Sequence, residues 1–364
     1  MKPSNFLFRV DSSFKIGSGH LMRCLTLAES LRFLGNNCTF VSRAHEGNLN
    51  KLIISKDFSL IELPQSESKY KYNDNEPSHA DWRDSSWEDD ALQTISALKK
   101  EKYEWIVVDH YGLWEPWEIE IKDHVSQIMI IDDIADRSHE CDLLLDQNLD
   151  SNISKYSNLL PKKIKTLFGP QYSLLRPEFQ EYREESLLRR KAKKVKNILI
   201  NFGGGDPNNY IKKTLQSIEN SNIPQEIIIT VITGRLAKNN KGDNYIETAL
   251  ANKIVYYDYV ENMAELLTNT DLVIGAAGST SWERCCLGVP SIIFSIAKNQ
   301  DEIARSLSDS GASFLMSEDS FFDGSLSNQL NKLIHSELLL SCSNEARKIT
   351  DGKGTDRVIR EIYD

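Results

Sequence analysis

Short runs of β-branched and aromatic residues alternate with stretches of helical periodicity along this 364-residue chain, and the alternation runs through twice. That pattern specifies parallel sheets with helices on both faces, because parallel strands need long crossovers and are buried on each side. In the first half the strands read 6–10, 38–42, 59–63, 105–109, 127–131 and 142–145, with helices at 21–34, 89–101 and 116–124. In the second half they read 197–202, 227–233, 254–257, 272–275, 291–295 and 313–316, with helices at 209–219, 262–267, 281–287 and 300–308. The expectation is an α/β protein of two Rossmann-like, doubly wound domains facing a central cleft, the place where such sheets bind ligands. The domains are read as 1–182 and 197–343, with a linker at 183–196 and a last segment, 344–364, that packs back on the first domain.

Composition narrows the function. Asp and Glu number 53 against 43 Lys and Arg, a net charge of −10, so a general nucleic-acid partner is excluded. The basic run Arg183, Arg189, Arg190, Lys191, Lys193, Lys194 and Lys196 is read as a solvated helix within the linker. No apolar run reaches the roughly 20 residues of a membrane span. Cys24, Cys38, Cys141, Cys285, Cys286 and Cys342 form no C-x-x-C pair and lie mostly in apolar elements, which fits reduced, buried thiols. A cytoplasmic location, no membrane insertion and a monomer are expected.

Chemistry concentrates at the predicted strand ends. Arg9-Val10-Asp11 leads into Ile16-Gly17-Ser18-Gly19-His20-Leu21-Met22-Arg23-Cys24, where a strand ends, glycines turn the chain and His20 opens a helix. A helix start presents free N–H groups that suit an anion, and its dipole favours a neutral imidazole able to act as a base. A bound phosphate would push the other way, and a helix start with an incidental histidine is the plain alternative. Asp109-His110-Tyr111-Gly112, Asp132-Asp133 and Asp146-Gln147-Asn148 each follow an apolar run. Asp132 and Asp133 point to opposite faces and lack further ligands at suitable spacing, so hydrogen bonding is expected there and no metal. In the second half, Phe202-Gly203-Gly204-Gly205-Asp206-Pro207 lacks the full phosphate-loop and dinucleotide patterns, leaving glycine N–H groups to cradle a diphosphate. Gly278-Ser279-Thr280-Ser281-Trp282-Glu283 supports two readings: a capping box formed by Thr280 and Glu283, or a helix start and hydroxyls on phosphate with Glu283 on ribose.

Taken in order, Arg9-x-Asp11 with Ile16-Gly-x-Gly-His20-x-x-Arg23-Cys24, Asp109-His-Tyr-Gly, Gly169-Pro-x-Tyr172-x-Leu-Leu-Arg176-Pro-x-Phe179, Phe202-Gly-Gly-x-Asp206-Pro and Ala277-Gly-Ser-x-Ser-x-Glu283 resemble the UDP-sugar hydrolases of pseudaminic acid biosynthesis. Those enzymes release UDP from UDP-2,4-diacetamido-2,4,6-trideoxy-β-L-altropyranose. More distantly, the second half is similar to the GT-B transferase that adds N-acetylglucosamine to the lipid-linked peptidoglycan precursor. The resemblance implies a GT-B fold, a UDP-sugar substrate held chiefly by the second domain, no cofactor and no metal. It implies that His20 is catalytic and that water attacks the anomeric carbon. It assigns Gly17, Gly19, Gly203 and Gly204 to the diphosphate, and Asp11, Arg23, Asp109, Tyr111 and Arg176 to the substrate. Tyr259 and Val260 are assigned to the uracil wall, Gly278, Ser279 and Thr280 to phosphate, Glu283 to ribose, and Asn299 and Gln300 to the donor sugar. Residues 65–88 form a connection long enough to be functional, and its stretch Asp81-Trp82-Arg83-Asp84-Ser85-Ser86-Trp87 is more charged than the resembled family's loop, which bears on the sugar accepted. Glycosyl transfer and ligand binding without turnover are the competing expectations.

Overall fold

The computed structural model describes residues 3–65, 70–73, 75–98, 101–191, 194–206, 208–234 and 248–364. The chain forms two compact units, Met1–Leu174 with Thr355–Asp364, and Leu175–Gly354.

Unit 1 begins β1 (Asn5–Val10), α1 (Gly19–Phe33), β2 (Asn37–Arg43), α2 (Asn50–Ser55) and β3 (Ser59–Leu63). It continues with α3 (Trp87–Ala97), β4 (Tyr103–Asp109), α4 (Glu115–Lys122), β5 (Val125–Ile131), β6 (Leu143–Asp146) and β7 (Lys165–Phe168). All its strand pairs are parallel, in the order β3-β2-β1-β4-β5-β6-β7. The two-residue period of a strand divides the apolar side chains between two faces. Phe6, Phe8, Val107 and Met129 pack with Leu21, Leu25 and Ala28 of α1 on one face. Leu7, Val41, Ile106 and Ile128 pack with Trp117 and Ile121 of α4 on the other. β7 and α2 escaped the sequence reading. Both are short and carry polar residues that mask their periodicity.

Unit 2 opens with α5 (Pro177–Glu181), α6 (Arg183–Arg189), β8 (Asn197–Asn201), α7 (Tyr210–Glu219), β9 (Ile228–Ile232), β10 (Ile254–Tyr257) and α8 (Met263–Thr268). It closes with β11 (Leu272–Ala276), α9 (Thr280–Cys286), β12 (Ser291–Phe294), α10 (Asp301–Asp309), β13 (Phe314–Met316), α11 (Ser325–Ile334) and α12 (Leu338–Ile349). Its six strands among the described residues are also parallel, ordered β10-β9-β8-β11-β12-β13. The last helix, α13 (Gly354–Tyr363), has Thr355 onward in unit 1, where Val358, Ile359 and Ile362 join the α1-side core.

Three boundaries differ from the sequence reading. Residues 175–182 and 344–354 belong to unit 2, and 183–196 is built into that unit wherever it is described. The reason lies in the arginines of the basic run, which bond to this unit while Lys191, Lys194 and Lys196 stay exposed. Arg190 is buried and donates to the carbonyls of Leu267, Thr268 and Thr270 at the end of α8. Arg183 donates to the carbonyls of Cys286 and Arg347, and Ser186 Oγ to that of Leu287 at 2.7 Å. These guanidinium groups satisfy the orphan carbonyls of helix ends. Lys193 lies outside the described residues. All six cysteines are free and buried.

Candidate functional site

In unit 1 the order of strands reverses between β1 and β4, and at such a switch point the loops after the two strands diverge and leave a crevice. Val10 pairs with Asp109, so the two strands end side by side. After β1 the chain makes a tight turn. Gly17 N–H donates to the Ser13 carbonyl at 2.9 Å, and Ser13 Oγ accepts from the N–H of Lys15 and Ile16. Gly17 has φ +82°, in the left-handed region that favours glycine, although a Cβ there would meet nothing. The turn delivers Gly19 and His20 to the first turn of α1.

His20 is held on several sides. Its Nδ1 lies 2.6 Å from Asp109 Oδ1, and Arg23 grips the same carboxylate through Nε at 2.5 Å and Nη2 at 2.7 Å. Burial opposes charge on Asp109, yet Arg23 and His20 hold its carboxyl well below the usual range. With an ionised acceptor, Nδ1 of His20 carries the proton, and in the neutral imidazole Nε2 is then the nitrogen with the lone pair. Among the described residues Nε2 has no hydrogen-bond partner. The Tyr111 ring meets the imidazole edge-on at 4.6 Å between centroids, and the Trp82 ring at 5.4 Å. The side chain retains 9% exposure, so the imidazole is nearly roofed.

Asp11, Arg23, Asp109 and Tyr111 were expected to touch substrate, but the structure commits each of them to the protein. Asp109 orients His20. Arg23 also donates to Asp133 at 2.8 Å, and Tyr111 Oη donates to the other Asp133 oxygen. Burial, followed by the Asp133 charge, pushes the Tyr111 hydroxyl well up. Asp11 lies beneath, fully buried, accepting from Arg9 Nη1 at 2.6 Å and the Arg43 N–H at 2.7 Å. Asp90 joins the same layer through Arg9, Arg43 and the Trp117 indole N–H. Removing one partner from such a layer strands a buried charge at a cost of about 3–5 kcal/mol, which marks it as structural. His110 is no rival base. Its Nδ1 accepts from the Gly112 N–H, its Nε2 lies 3.1 Å from Asp11, and burial pushes the imidazole down to about 4. The neighbours Asp132 and Asp133 diverge, Asp132 to Arg137 and Asp133 to Arg23. No group of three or more metal-binding side chains occurs among the described residues.

Unit 2 has its own switch point, between β8 and β11. The loops that follow them carry Gly203 and Gly204, and Gly278 through Thr280. Gly203 has φ +99°, and its N–H donates to Asn201 Oδ1 at 2.9 Å. Asp206 accepts from the N–H of Tyr210 and Ile211, so the start of α7 is capped by its own chain. The sequence reading passed over Gly234. A Cβ there would lie 2.4 Å from the Gly204 carbonyl, so the loop after β9 supports the glycine turn by close backbone approach.

At α9 the two readings of Thr280 and Glu283 separate. The N-cap is Ser279, and no side chain makes a cap hydrogen bond. No hydrogen bond commits the Glu283 carboxyl among the described residues, and burial, opposed by Arg176 and Arg284, pushes it up to about 7. Arg176 sits in unit 2, donating to the Glu261 carbonyl at 3.1 Å and pairing with Glu178 at 3.0 Å. Asn299 and Gln300 form a single turn after β12, and Gln300 Nε2 lies 3.6 Å from where a Cβ of Gly278 would stand. Tyr259 and Val260 follow β10, with the Tyr259 ring exposed. All these loops leave the same edge of one parallel sheet.

Residues 198–355 match the glycosyltransferase family 28 C-terminal domain. The UDP-2,4-diacetamido-2,4,6-trideoxy-β-L-altropyranose hydrolase of Campylobacter jejuni is 29% identical over 305 residues, covering 84% of this chain and 96% of that enzyme. An uncharacterized protein of Methanocaldococcus jannaschii is 29% identical over 301 residues, 81% of this chain, and the match spans 55% of that relative's length. Among solved structures, MurG of Acinetobacter baumannii superposes with a TM-score of 0.67 at 17% identity, covering 99% of each chain. No helix among the described residues is long and apolar enough to cross a membrane. With two parallel, doubly wound units, the chain has the GT-B fold, and its residues 198–355 are similar to the glycosyltransferase family 28 C-terminal domain.

Proposed function

We propose that the protein hydrolyses a UDP-linked amino-deoxy sugar, releasing UDP and the free sugar. The observation that carries this reading is the Asp109–His20 pair at the switch point of unit 1, with Nε2 left as acceptor. In the reaction Nε2 takes a proton from water as its oxygen bonds to the anomeric carbon. The bond from that carbon to the diphosphate oxygen breaks, and UDP leaves with the electron pair. Asp109 keeps the imidazole in the tautomer that accepts a proton, and offsets the charge that develops on it. Gly204, with Gly278, Ser279 and Thr280, meets the diphosphate through backbone N–H groups and hydroxyls, which stabilise the leaving group as its charge grows, while Gly203, whose N–H is given to Asn201 Oδ1, supplies the left-handed turn. Glu283 accepts from the ribose hydroxyls, Tyr259 and Val260 flank the uracil, and Asn299 and Gln300 face the sugar. Gly17 and Gly19 shape the turn that presents His20. The Campylobacter relative supports a diacetamido-trideoxy sugar as the substrate and pseudaminic acid biosynthesis as the setting.

Transfer of the sugar to an acceptor is the second reading, supported by the family 28 match and the MurG-like fold. Incubation with UDP-sugars, a chelator and no acceptor separates them. Stoichiometric UDP and free sugar are expected, and His20→Leu should lower turnover by about 10²-fold or more while UDP affinity stays within a few-fold. UDP binding with no product in the absence of acceptor, or full turnover in His20→Leu, contradicts the hydrolytic reading.

A further inference from the structure

β5 lies beside β4, with Ile130 paired to Val108, so the residues that follow β5 emerge next to Asp109. Asp133 is the one that turns to the His20 cluster. Asn148 Nδ2 donates to the Asp133 carbonyl at 2.7 Å, and the Tyr156 hydroxyl donates to the Asp132 carbonyl at 3.0 Å, so this stretch of backbone is held from behind. The Asp133 carboxylate accepts from Arg23 Nη1 at 2.8 Å through one oxygen and from the Tyr111 hydroxyl through the other.

Arg23 therefore stands between two carboxylates. Its Nη2, which grips Asp109, also lies 3.3 Å from His20 Nδ1. A guanidinium this close repels an imidazolium, and alone it would cancel the Asp109 charge that favours one. Asp109 and Asp133 against Arg23 leave the cluster at −1 while His20 is neutral, and at 0 once Nε2 has taken a proton. Without Asp133 the same proton would leave an uncompensated positive charge where little water reaches, and such a charge is costly. The other titratable groups around the cluster do not supply the missing charge. Burial, joined by the neighbouring carboxylates, keeps the Tyr111 hydroxyl and the Cys24 thiol protonated. Burial also lowers His79, which meets the far side of the Tyr111 ring. Arg137, over that ring, is paired with Asp132 and Asp136. Asp146 is pushed up to about 8 by burial and by Asp133, and is neutral below that pH.

We propose that Asp133 is a positioning residue for the step at His20: by holding Arg23 and the Tyr111 hydroxyl, it leaves the charge of Asp109 to stabilise the imidazolium. This rests on the reading of His20 as the base. Carbon–proton resonances of the full chain follow the His20 titration, its signal identified by its loss in His20→Leu. Removing the Asp133 charge disfavours the imidazolium, so Asp133→Asn and Asp133→Ser should each move the midpoint down by about 1 pH unit. Asp133→Glu keeps the charge and should stay closer to the native midpoint than either. Arg23 retains Asp109 in both neutral variants, so no buried charge is stranded and the chain should fold. A weaker base takes a proton less readily. Both neutral variants should therefore release UDP several-fold more slowly, with the Michaelis constant within about two-fold and the acid limb of the rate displaced down with the titration. A purely structural role would lower the melting midpoint and leave the titration where it is. Asp133→Ser decides the matter if Asp133→Asn fails to fold. An unmoved or raised midpoint in a folded neutral variant, or a midpoint in Asp133→Glu as low as in those variants, overturns the proposal. A lowered midpoint, alongside no UDP release by the native chain, upholds the role of Asp133 and removes only the hydrolytic reading.

Discussion

A carboxylate that accepts from Nδ1 of a histidine fixes which nitrogen can work, and this one interaction decides what His20 is able to do. Asp109 spends one oxygen on that bond and both on Arg23, so its orientation is over-determined. Asp109→Asn preserves shape, but its amide can present an N–H to Nδ1 and stabilise the opposite tautomer. Turnover should drop by about 10²- to 10⁴-fold with the Michaelis constant nearly unchanged, as expected when an interaction matters in the transition state. Steady-state kinetics of UDP release test this, and a change confined to the Michaelis constant would return Asp109 to substrate contact. The sequence announced His20 through its glycines but not this pairing, because residues 89 positions apart meet only when β1 and β4 lie side by side. Asp11 and Tyr111 were legible as polar residues after strands, and Arg23 as a polar residue of the helix that His20 opens. Their burial beneath the site was not, since a sequence does not say whether a charged group faces solvent or another charge.

Elements were legible where periodicity was long. The edges of β3 and β10 coincide with the reading from residues, and most other edges differ by one or two positions. At α9 the local signal pointed two ways, because Thr-x-x-Glu is both a cap sequence and a pair of ligand-binding side chains. The helix begins one residue away from what a capping box needs, and that shift leaves Glu283 uncommitted. A carboxyl pushed up to about 7 by burial is protonated in the free protein below that pH, and ribose hydroxyls need its ionised form as acceptor. Affinity for a UDP-sugar, whose diphosphate diester does not titrate near neutrality, should therefore fall several-fold from pH 8 to pH 6. Glu283→Gln should bind more weakly and with a flat profile. Calorimetry at the two pH values checks both, and an unchanged slope in the variant would separate Glu283 from ribose. The basic run at α6 shows the opposite case. Its charges look like a solvated face in sequence, yet Arg190 is drawn in because the carbonyls ending α8 need donors.

On the scale of the molecule, the chain leaves unit 2 after Gly354 and finishes in unit 1. Val358, Ile359 and Ile362 of α13 are buried there, and Lys165 donates to the Glu361 carbonyl at 2.8 Å. Each buried aliphatic side chain contributes about 1.5–3 kcal/mol. Deletion of residues 355–364 should lower the melting midpoint of unit 1 by about 10 °C or more and leave that of unit 2 in place. Differential scanning calorimetry reads this directly, and an unshifted first transition would mean that α13 is dispensable to the unit 1 core.

The sequence by itself determined the class of fold and the addresses of the chemistry. Alternating apolar runs admit little but parallel sheets, and in such sheets polar residues and glycines after a strand fall at its carboxyl edge. Tertiary structure alone decided which of those residues remain available. Strand order put Asp109 against His20, brought a distant loop's Trp82 against the imidazole and its His79 against Trp82 and Tyr111, and buried Asp11 among arginines. The physical reason is that pairing and burial are set by long-range neighbours, whereas periodicity and turn chemistry are written within a few residues.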